Sequence, residues 1–187
     1  MTTTAFYLPK TITQRNIPNL VTGKDSIPWQ SNSVSNMSNT GLYTISGFWQ
    51  EKFRSQTSEL WCTGFEFPEF MGTVTGIELE LDIRRAARIE DLVIQLTLNG
   101  ELIGDNMASQ INPVQADMYT ADNTPKPIPF DDYHVYGAAD NLWGAELTSV
   151  DVLDPSFGIV ISFQSNLIIP HRDIAYLDQV ALRITYA

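Results

Sequence analysis

Residues 75–84 read TGIELELDIR, and in this stretch apolar and charged side chains alternate without a break. The apolar members are Ile77, Leu79, Leu81 and Ile83, and the charged members are Glu78, Glu80, Asp82 and Arg84. Successive side chains of a β-strand point to opposite faces, whereas a helix would need an apolar residue every three or four positions. The stretch therefore predicts a strand with one face in a core and the other face in solvent.

The same alternation recurs along the chain. Residues 91–98 place Leu92, Ile94, Leu96 and Leu98 on one face, and Asn99-Gly100 then predicts a hairpin turn into 101–103. A third strand carries Ile159, Ile161 and Phe163, and the last carries Val180, Leu182, Ile184 and Tyr186 inward with Ala181, Arg183 and Thr185 outward. No stretch of ten or more residues has a helical period. We therefore expect an all-β antiparallel β-sandwich, jelly-roll-like in its connections.

Residues 140–158, DNLWGAELTSVDVLDPSFG, connect two of these strands. Trp143 is expected to cover an open end of the core, and Gly144 to allow a tight turn after it. Thr148 and Asp151 have the spacing of a capping box, which predicts one helical turn beginning there. Pro155 and Gly158 are expected to end that turn and release the chain into the next strand.

The segment 1–38 differs from the rest and is predicted to be an extended N-terminal arm ahead of a β-sandwich domain at 39–187. Its isolated hydrophobic residues follow neither a helical nor a strand period, so the arm either packs on its own domain or becomes ordered on a neighbouring subunit. The proline-rich loop 107–132 is expected to be a contact surface. Together these features give the candidate interface residues Phe6, Tyr7, Ile12, Ile17, Leu20, Tyr119, Pro125, Pro127 and Tyr133.

Composition narrows the possible partners. The 187 residues include 22 Asp and Glu against 11 Lys and Arg, for a formal net charge of -11, which argues against a protein that holds nucleic acid by its phosphates. No segment reaches the roughly 18 apolar residues of a membrane span. The single cysteine, Cys62, lies among apolar residues and is expected to be a buried thiol, as suits a reducing cytoplasm. Because the last strand ends at Ala187, the domain is expected to be complete.

The chain carries no motif for phosphate binding, acyl transfer or zinc hydrolysis. His134 and His171 are expected to be ordinary polar loop residues, without metal-ligand spacing. Glu66 with Glu69 and Asp131 with Asp132 are carboxylate pairs close together in sequence, and turn or cap positions are expected for these and for Asp91, Asp105, Asp151 and Asp154. We therefore predict no catalytic residue, no metal site and no cofactor.

Several elements together resemble a β-sandwich module of virion proteins from tailed bacteriophages. They are LWCTGFEF at 60–67, VTGIELEL at 74–81, IGDN at 103–106, the Leu-Trp-Gly and Thr-x-x-Asp elements of 136–154, and the strand at 177–186. The resemblance implies a structural protein, either a capsid decoration (cement) protein or a small tail-associated one. It also implies other virion proteins as partners, a closed homo-oligomer such as a trimer, and assembly into the virion in the host cytoplasm.

An alternative function is a carbohydrate-binding module for a host surface glycan, which would use exposed aromatic side chains as a stacking platform. Its candidates are Trp29, Trp49, Trp61, Trp143, Tyr119, Tyr133 and Tyr136. A third hypothesis is a glycan hydrolase, which would need a pair of carboxylates on either side of a groove.

Overall fold

The computed structural model describes residues 1–18, 25–30, 44–46, 56–85, 89–108, 133–165 and 175–187. These residues form strands and one short helix. In chain order they are β1 (Thr2–Thr3), β2 (Thr11–Arg15), β3 (Trp29–Gln30), β4 (Thr44–Ser46), β5 (Glu59–Thr63), β6 (Val74–Arg85), β7 (Ile89–Leu98), β8 (Glu101–Ile103), β9 (Tyr133–Ala138), α1 (Ser149–Leu153), β10 (Gly158–Ser165) and β11 (Ala175–Tyr186). Among the described residues, no helix is long and apolar enough to cross a membrane.

The strands form two curled antiparallel sheets. The six-stranded sheet has the order β3-β4-β11-β6-β9, with β1 also paired to β11, and the five-stranded sheet has the order β2-β5-β10-β7-β8. Counted from β4, one sheet holds the first, eighth, third and sixth strands, and the other holds the second, seventh, fourth and fifth. This is the strand order of a jelly roll. The prediction of an all-β jelly-roll-like sandwich is confirmed.

The first three strands extend the edges of the jelly roll. β1 pairs with the end of β11, β2 pairs along the whole of β5, and β3 pairs with β4. The described residues of the predicted arm therefore pack on their own domain, which is the first of the two alternatives raised by the sequence. The boundary predicted at 38–39 lies outside the described residues.

The core lies between the two sheets. The four alternate apolar residues of β6, at positions 77, 79, 81 and 83, are fully buried there. The expectation that the other face of β6 is open to solvent is wrong for Glu78 and Asp82, which are also buried. On β11, Thr185 and Ala181 are likewise buried rather than exposed. For Thr185 the cause is β1, because the Thr3 and Thr185 hydroxyls lie 3.0 Å apart and β1 covers that position.

A bulge in β7 changes which of its residues face the core. Ser162 pairs with Val93 but Phe163 pairs with Asp91, so Leu92 is the extra residue. Ile94 and Leu96 are buried as predicted, whereas Leu92 is only half-buried. The prediction that Asp91 occupies a turn or cap is wrong. Asp91 is buried inside the strand because the bulge reverses the alternation there.

The predicted turns are confirmed. Asn99 and Gly100 both have positive φ, 55° and 80°, which is the backbone of a tight hairpin turn between β7 and β8. Helix α1 begins with a complete capping box. The Thr148 side chain accepts from the Asp151 N–H, and the Asp151 side chain accepts from the Thr148 N–H. The helix ends at Leu153, and β10 begins at Gly158 as expected.

Candidate interaction surface

The candidate interface residues are divided among several parts of the fold. Leu20, Tyr119, Pro125 and Pro127 lie outside the described residues. Phe6, Tyr7, Ile12 and Ile17 are half-buried on their own domain. Tyr7 forms a two-way backbone pair with Leu182 and packs edge-on against Phe67. Ile12 packs against the core between the sheets.

Tyr133 was expected on the proline-rich loop, but it is the first residue of strand β9. Its side chain is 43% exposed, and that of Val135, two residues further on, is 45% exposed. Since residues two apart on a strand share a face, the two side chains lie side by side. Opposite them on β6, Tyr133 pairs with Asp82 and Val135 with Glu80. An aromatic and an aliphatic side chain are thus exposed beside an acidic row.

We call the outward side of the six-stranded sheet the Tyr133 face; it comprises Glu78, Glu80, Tyr133, Val135, Gln179 and Arg183. Its polar groups hold one another in place. Arg183 forms a bidentate ion pair with Glu78, with Nε–Oε2 at 2.8 Å and Nη2–Oε1 at 2.7 Å. Gln179 Nε2 donates to Glu80 Oε1 at 2.6 Å. These pairs fix the acidic side chains and leave the two apolar side chains as the accessible part of the face.

Phe6 reaches the same face from the opposite edge. The Arg183 guanidinium carbon lies 4.6 Å from the centroid of the Phe6 ring, so the guanidinium is held by a ring and a carboxylate together. The hydrogen bonds from Arg183 to Glu78 raise the pKa of that guanidinium above its usual value. The structure thus brings Phe6 and Tyr133 to one face, but with the Arg183–Glu78 pair between them.

The groups considered for catalysis have ordinary structural positions. Cys62 is a free, fully buried cysteine, and burial raises the pKa of its thiol to about 12, so the prediction of a buried thiol is confirmed. The expectation for His134 is wrong, because it is a buried residue of strand β9 and not a loop residue. Glu66 and Glu69 are both exposed, and Glu66 lies 3.5 Å from the Lys10 ammonium. His171, Asp131 and Asp132 lie outside the described residues.

Most aromatic residues proposed as a stacking platform belong to the interior. Trp143 Nε1 donates to the carbonyl of Ile77, and Trp29 Nε1 donates to the carbonyl of Ser58. Tyr136 donates from its hydroxyl to the buried carboxylate of Asp91 at 2.9 Å, across the space between the sheets. Tyr119 and Trp49 lie outside the described residues. Tyr133 is therefore the exposed aromatic residue among the candidates that the structure describes.

Trp61 differs from the other tryptophans. It is buried, yet it lies apart from the core cluster, and the Arg15 guanidinium carbon lies 3.5 Å from the centroid of its ring. Its Nε1 donates to Glu59 Oε2 at 2.9 Å. Neither Arg15 nor Glu59 was predicted from the sequence to be a site residue. The pattern ELWCT could have predicted this pair. If Leu60 and Cys62 face the core, then Glu59 and Trp61 must lie together on the other face of the strand.

Among the described residues, no group of three or more His, Cys, Asp or Glu is placed to hold a metal ion. Comparison of this chain with protein-family models, with curated proteins and with solved structures finds no match.

Proposed function

We propose that this chain is a non-enzymatic structural protein of a tailed-phage virion that contacts its neighbours through the Tyr133 face. A capsid decoration (cement) protein and a small tail-associated protein both fit this role. One observation carries the proposal: Tyr133 and Val135 expose two adjacent apolar side chains on the outside of a sheet whose inner face already packs a full core. Two exposed apolar side chains that lie side by side are suited to contact with a second protein.

The surroundings of this pair match the anatomy of a protein interface. Aromatic residues are enriched at the centre of interfaces, and polar groups form the rim. Here Glu80 and the paired Glu78 and Arg183 lie along one side of the apolar pair, on β6 and β11. The rim is already internally hydrogen-bonded, so a partner can dock without leaving a buried charge unpaired. A closed homo-oligomer such as a trimer would bury the same patch on each subunit.

Two further considerations support the virion assignment. The jelly roll is a fold of viral capsid domains, although lectins and cupins share it, so the fold alone does not select a function. Three of the elements that carry the resemblance to phage virion modules fall on β5, β6 and β11, which are inner strands of the two sheets. The proposed partners are therefore other virion proteins, the major capsid protein or tail proteins, together with further copies of this chain.

The self-contact is tested by placing a single reactive thiol on the Tyr133 face. The native Cys62 is buried and unreactive, so Val135→Cys places one accessible thiol on this face and keeps the Tyr133 ring that the proposed contact uses. With a bifunctional thiol cross-linker we expect covalent dimers on a denaturing gel, because each chain carries one reactive thiol. Val150→Cys is the matched control, because Val150 is 76% exposed but lies on helix α1. Equal cross-linking of the two variants, or none for Val135→Cys, would contradict the proposed interface.

The virion location is tested separately. Mass spectrometry of purified particles from cells that express the gene should find the chain at a fixed ratio to the major capsid protein or to tail proteins. Tyr133→Ser should lower that ratio, because a hydroxyl replaces the aromatic anchor. Absence of the wild-type chain from purified particles would refute the virion assignment.

A further inference from the structure

The outward side of the five-stranded sheet carries a second group of residues that the proposed assembly role does not use. Leu60, Cys62, Ile159 and Ile161 face the core, so the residues between them face away from it. We call this side the Trp61 face; it comprises Arg15, Glu59, Trp61, Gln95, Val160 and Ser162. The strand register places these residues as neighbours, with Trp61 opposite Val160, and Val160 opposite Gln95.

The Trp61 face is concave. Arg15 belongs to β2 at one edge of the sheet, whereas Gly100 lies in the hairpin turn between β7 and β8 at the other edge. Arg15 Nη1 nevertheless donates to the Gly100 carbonyl at 3.2 Å, which requires the sheet to curl toward this side. The centre of the face, at Val160, is fully buried, while Arg15 and Thr13 at its margin are exposed. The residues therefore line a concave surface whose centre is closed to solvent, with the Arg15 side chain over the Trp61 ring.

The polar groups of this concave surface are not all satisfied by the protein. Ser162 is only 1% exposed, and its hydroxyl has no hydrogen-bond partner. Leaving a buried hydroxyl unpaired is costly, so such a group needs an explanation. Glu59 is also buried, and its desolvation raises the pKa of the carboxyl, an effect opposed by the hydrogen bond from Trp61 and by the charge of Arg15. Both groups offer unused hydrogen-bonding capacity beside an indole ring.

We propose that the Trp61 face binds a neutral saccharide, whose pyranose ring stacks on Trp61 in place of the Arg15 guanidinium while its hydroxyls pair with Glu59, Gln95 and Ser162. The apolar face of a sugar ring suits the flat face of an indole, and its hydroxyls both donate and accept, as the carboxylate, amide and hydroxyl here require. Arg15 lies on an exposed edge strand, so its side chain can leave the ring. The net charge of -11 and the Glu59 carboxylate disfavour an anionic sugar.

This site is on the opposite sheet from the Tyr133 face and goes beyond the assembly role, so either proposal can fail alone. It narrows the glycan platform predicted from the sequence, which named Trp61 as one of seven aromatic candidates together with Tyr119 and Tyr133. A saccharide site on Tyr133 would leave Trp61 untouched. The two versions are separated by asking which aromatic side chain the sugar contacts.

The experiment is a titration of the full chain, labelled with ¹⁵N, with neutral trisaccharides of glucose, galactose, mannose or N-acetylglucosamine. The four tryptophans give four indole N–H signals, and Trp61→Phe identifies the one from Trp61. We expect at least one sugar to shift the Trp61 signal with a Kd on the order of 1 mM. The indole signals of Trp29 and Trp143, whose donors are buried against backbone carbonyls, should not move.

Three variants test the contacts. Arg15→Ala uncovers the ring and should tighten binding about threefold or more, because the sugar no longer has to displace a cation–π contact. Ser162→Ala removes a hydroxyl that has no protein partner, so the fold should keep its melting temperature while binding weakens about threefold or more. Tyr133→Ala is the matched control and should leave the affinity unchanged.

Two results would overturn the proposed site, and a third would overturn the proposed class of ligand. One is the absence of any sugar-induced shift at Trp61 in both the wild-type chain and Arg15→Ala. The other is a sugar affinity that falls in Tyr133→Ala but not in Ser162→Ala, which would place the site on the other sheet. A uronic-acid trisaccharide that binds more tightly than every neutral one would likewise refute the neutral class of ligand.

Discussion

Replacing Trp143 by alanine should destabilise the protein more than most single substitutions. The side chain is 0% exposed, and its Nε1 donates to the Ile77 carbonyl at 3.0 Å. The ring also lies against Gly137, where an added Cβ would come within 2.5 Å of Nε1. Removing a buried tryptophan costs about 3 to 5 kcal/mol. In a chain of this size that corresponds to a fall in Tm of about 6 to 20 °C.

The assay is urea unfolding followed by circular dichroism, with the free energy of unfolding compared between variants. Trp143→Phe keeps an aromatic ring but loses the indole donor, so it should give an intermediate loss. Val150→Ala changes a side chain that is 76% exposed and should stay within about 0.5 kcal/mol of the wild type. If Trp143→Ala lowers the free energy of unfolding by less than about 1 kcal/mol, the reasoning is refuted, because removing a core tryptophan should cost several times more.

The backbone at Trp143 adds a second, independent check. Its φ is 58°, in the left-handed region that a Cβ disfavours by about 1 to 2 kcal/mol. Both Trp143→Gly and Trp143→Ala remove the indole ring, but only alanine keeps a Cβ, which strains the backbone at positive φ. Trp143→Gly should therefore be about 1 kcal/mol more stable than Trp143→Ala. If the two variants unfold at the same urea concentration, the positive φ is not retained once the ring is gone.

Three further predictions concern separate parts of the fold. Thr148→Ala removes the capping box of α1 and should cost about 1 kcal/mol in urea unfolding, whereas Thr148→Ser should restore most of it. Tyr136→Phe leaves the buried Asp91 carboxylate without one donor and should cost about 1 to 3 kcal/mol, and an unchanged midpoint would contradict that hydrogen bond. Cys62 should react with a thiol reagent only after unfolding. Burial raises the pKa of this thiol from 9.0 to about 12, so above pH 9 the unfolded chain loses the proton before the folded chain does. The free energy of unfolding measured by urea titration should therefore fall between pH 9 and 12. Below pH 9 this thiol should add no pH dependence to it.

The sequence was a good guide wherever one local rule acted alone. The alternation in 75–84 identified the core face of β6, since a strand has only two faces and the four alternate apolar residues shared one of them. Asn99-Gly100 and the Thr148–Asp151 box were correctly located for the same reason, because their chemistry is complete within a few residues. The jelly-roll class followed from the number and spacing of such strands.

Features that depend on a distant partner were missed. Glu78 and Asp82 look solvent-exposed in a single strand, and only the pairing with β11 brings Arg183 across to Glu78. The bulge at Leu92 has no turn residue to mark it, so Asp91 was expected at a turn or cap and Leu92 on the core face. The edge strands of the N-terminal segment are short and mostly exposed, which leaves them without a readable period.

The residues of the two candidate surfaces could likewise be predicted only where a local pattern marks them. Tyr133 could be named from the sequence as an aromatic residue near a proline-rich loop, but its neighbour Val135 required the strand to be known. The contact of Arg15 with Trp61 joins residues 46 positions apart, and its contact with Gly100 spans 85 positions. No local pattern encodes either contact. The first follows from the pairing of β2 with β5, and the second follows from the curl of the sheet.

The pairing of β1 with the end of β11 also has a mechanical consequence. Thr2 lies opposite Tyr186 in an antiparallel pair, so residues 1 and 187 leave the sandwich at the same end. A force that pulls these two residues apart loads the β1 hydrogen bonds one after another, as in opening a zipper, and not all at once. In a single-molecule pulling experiment through residues 1 and 187, the segment ahead of Tyr7 should peel away at low force before the jelly roll yields. The same force applied between Thr2 and Ala175 would instead shear β1 along β11, and unfolding should then require a much greater force.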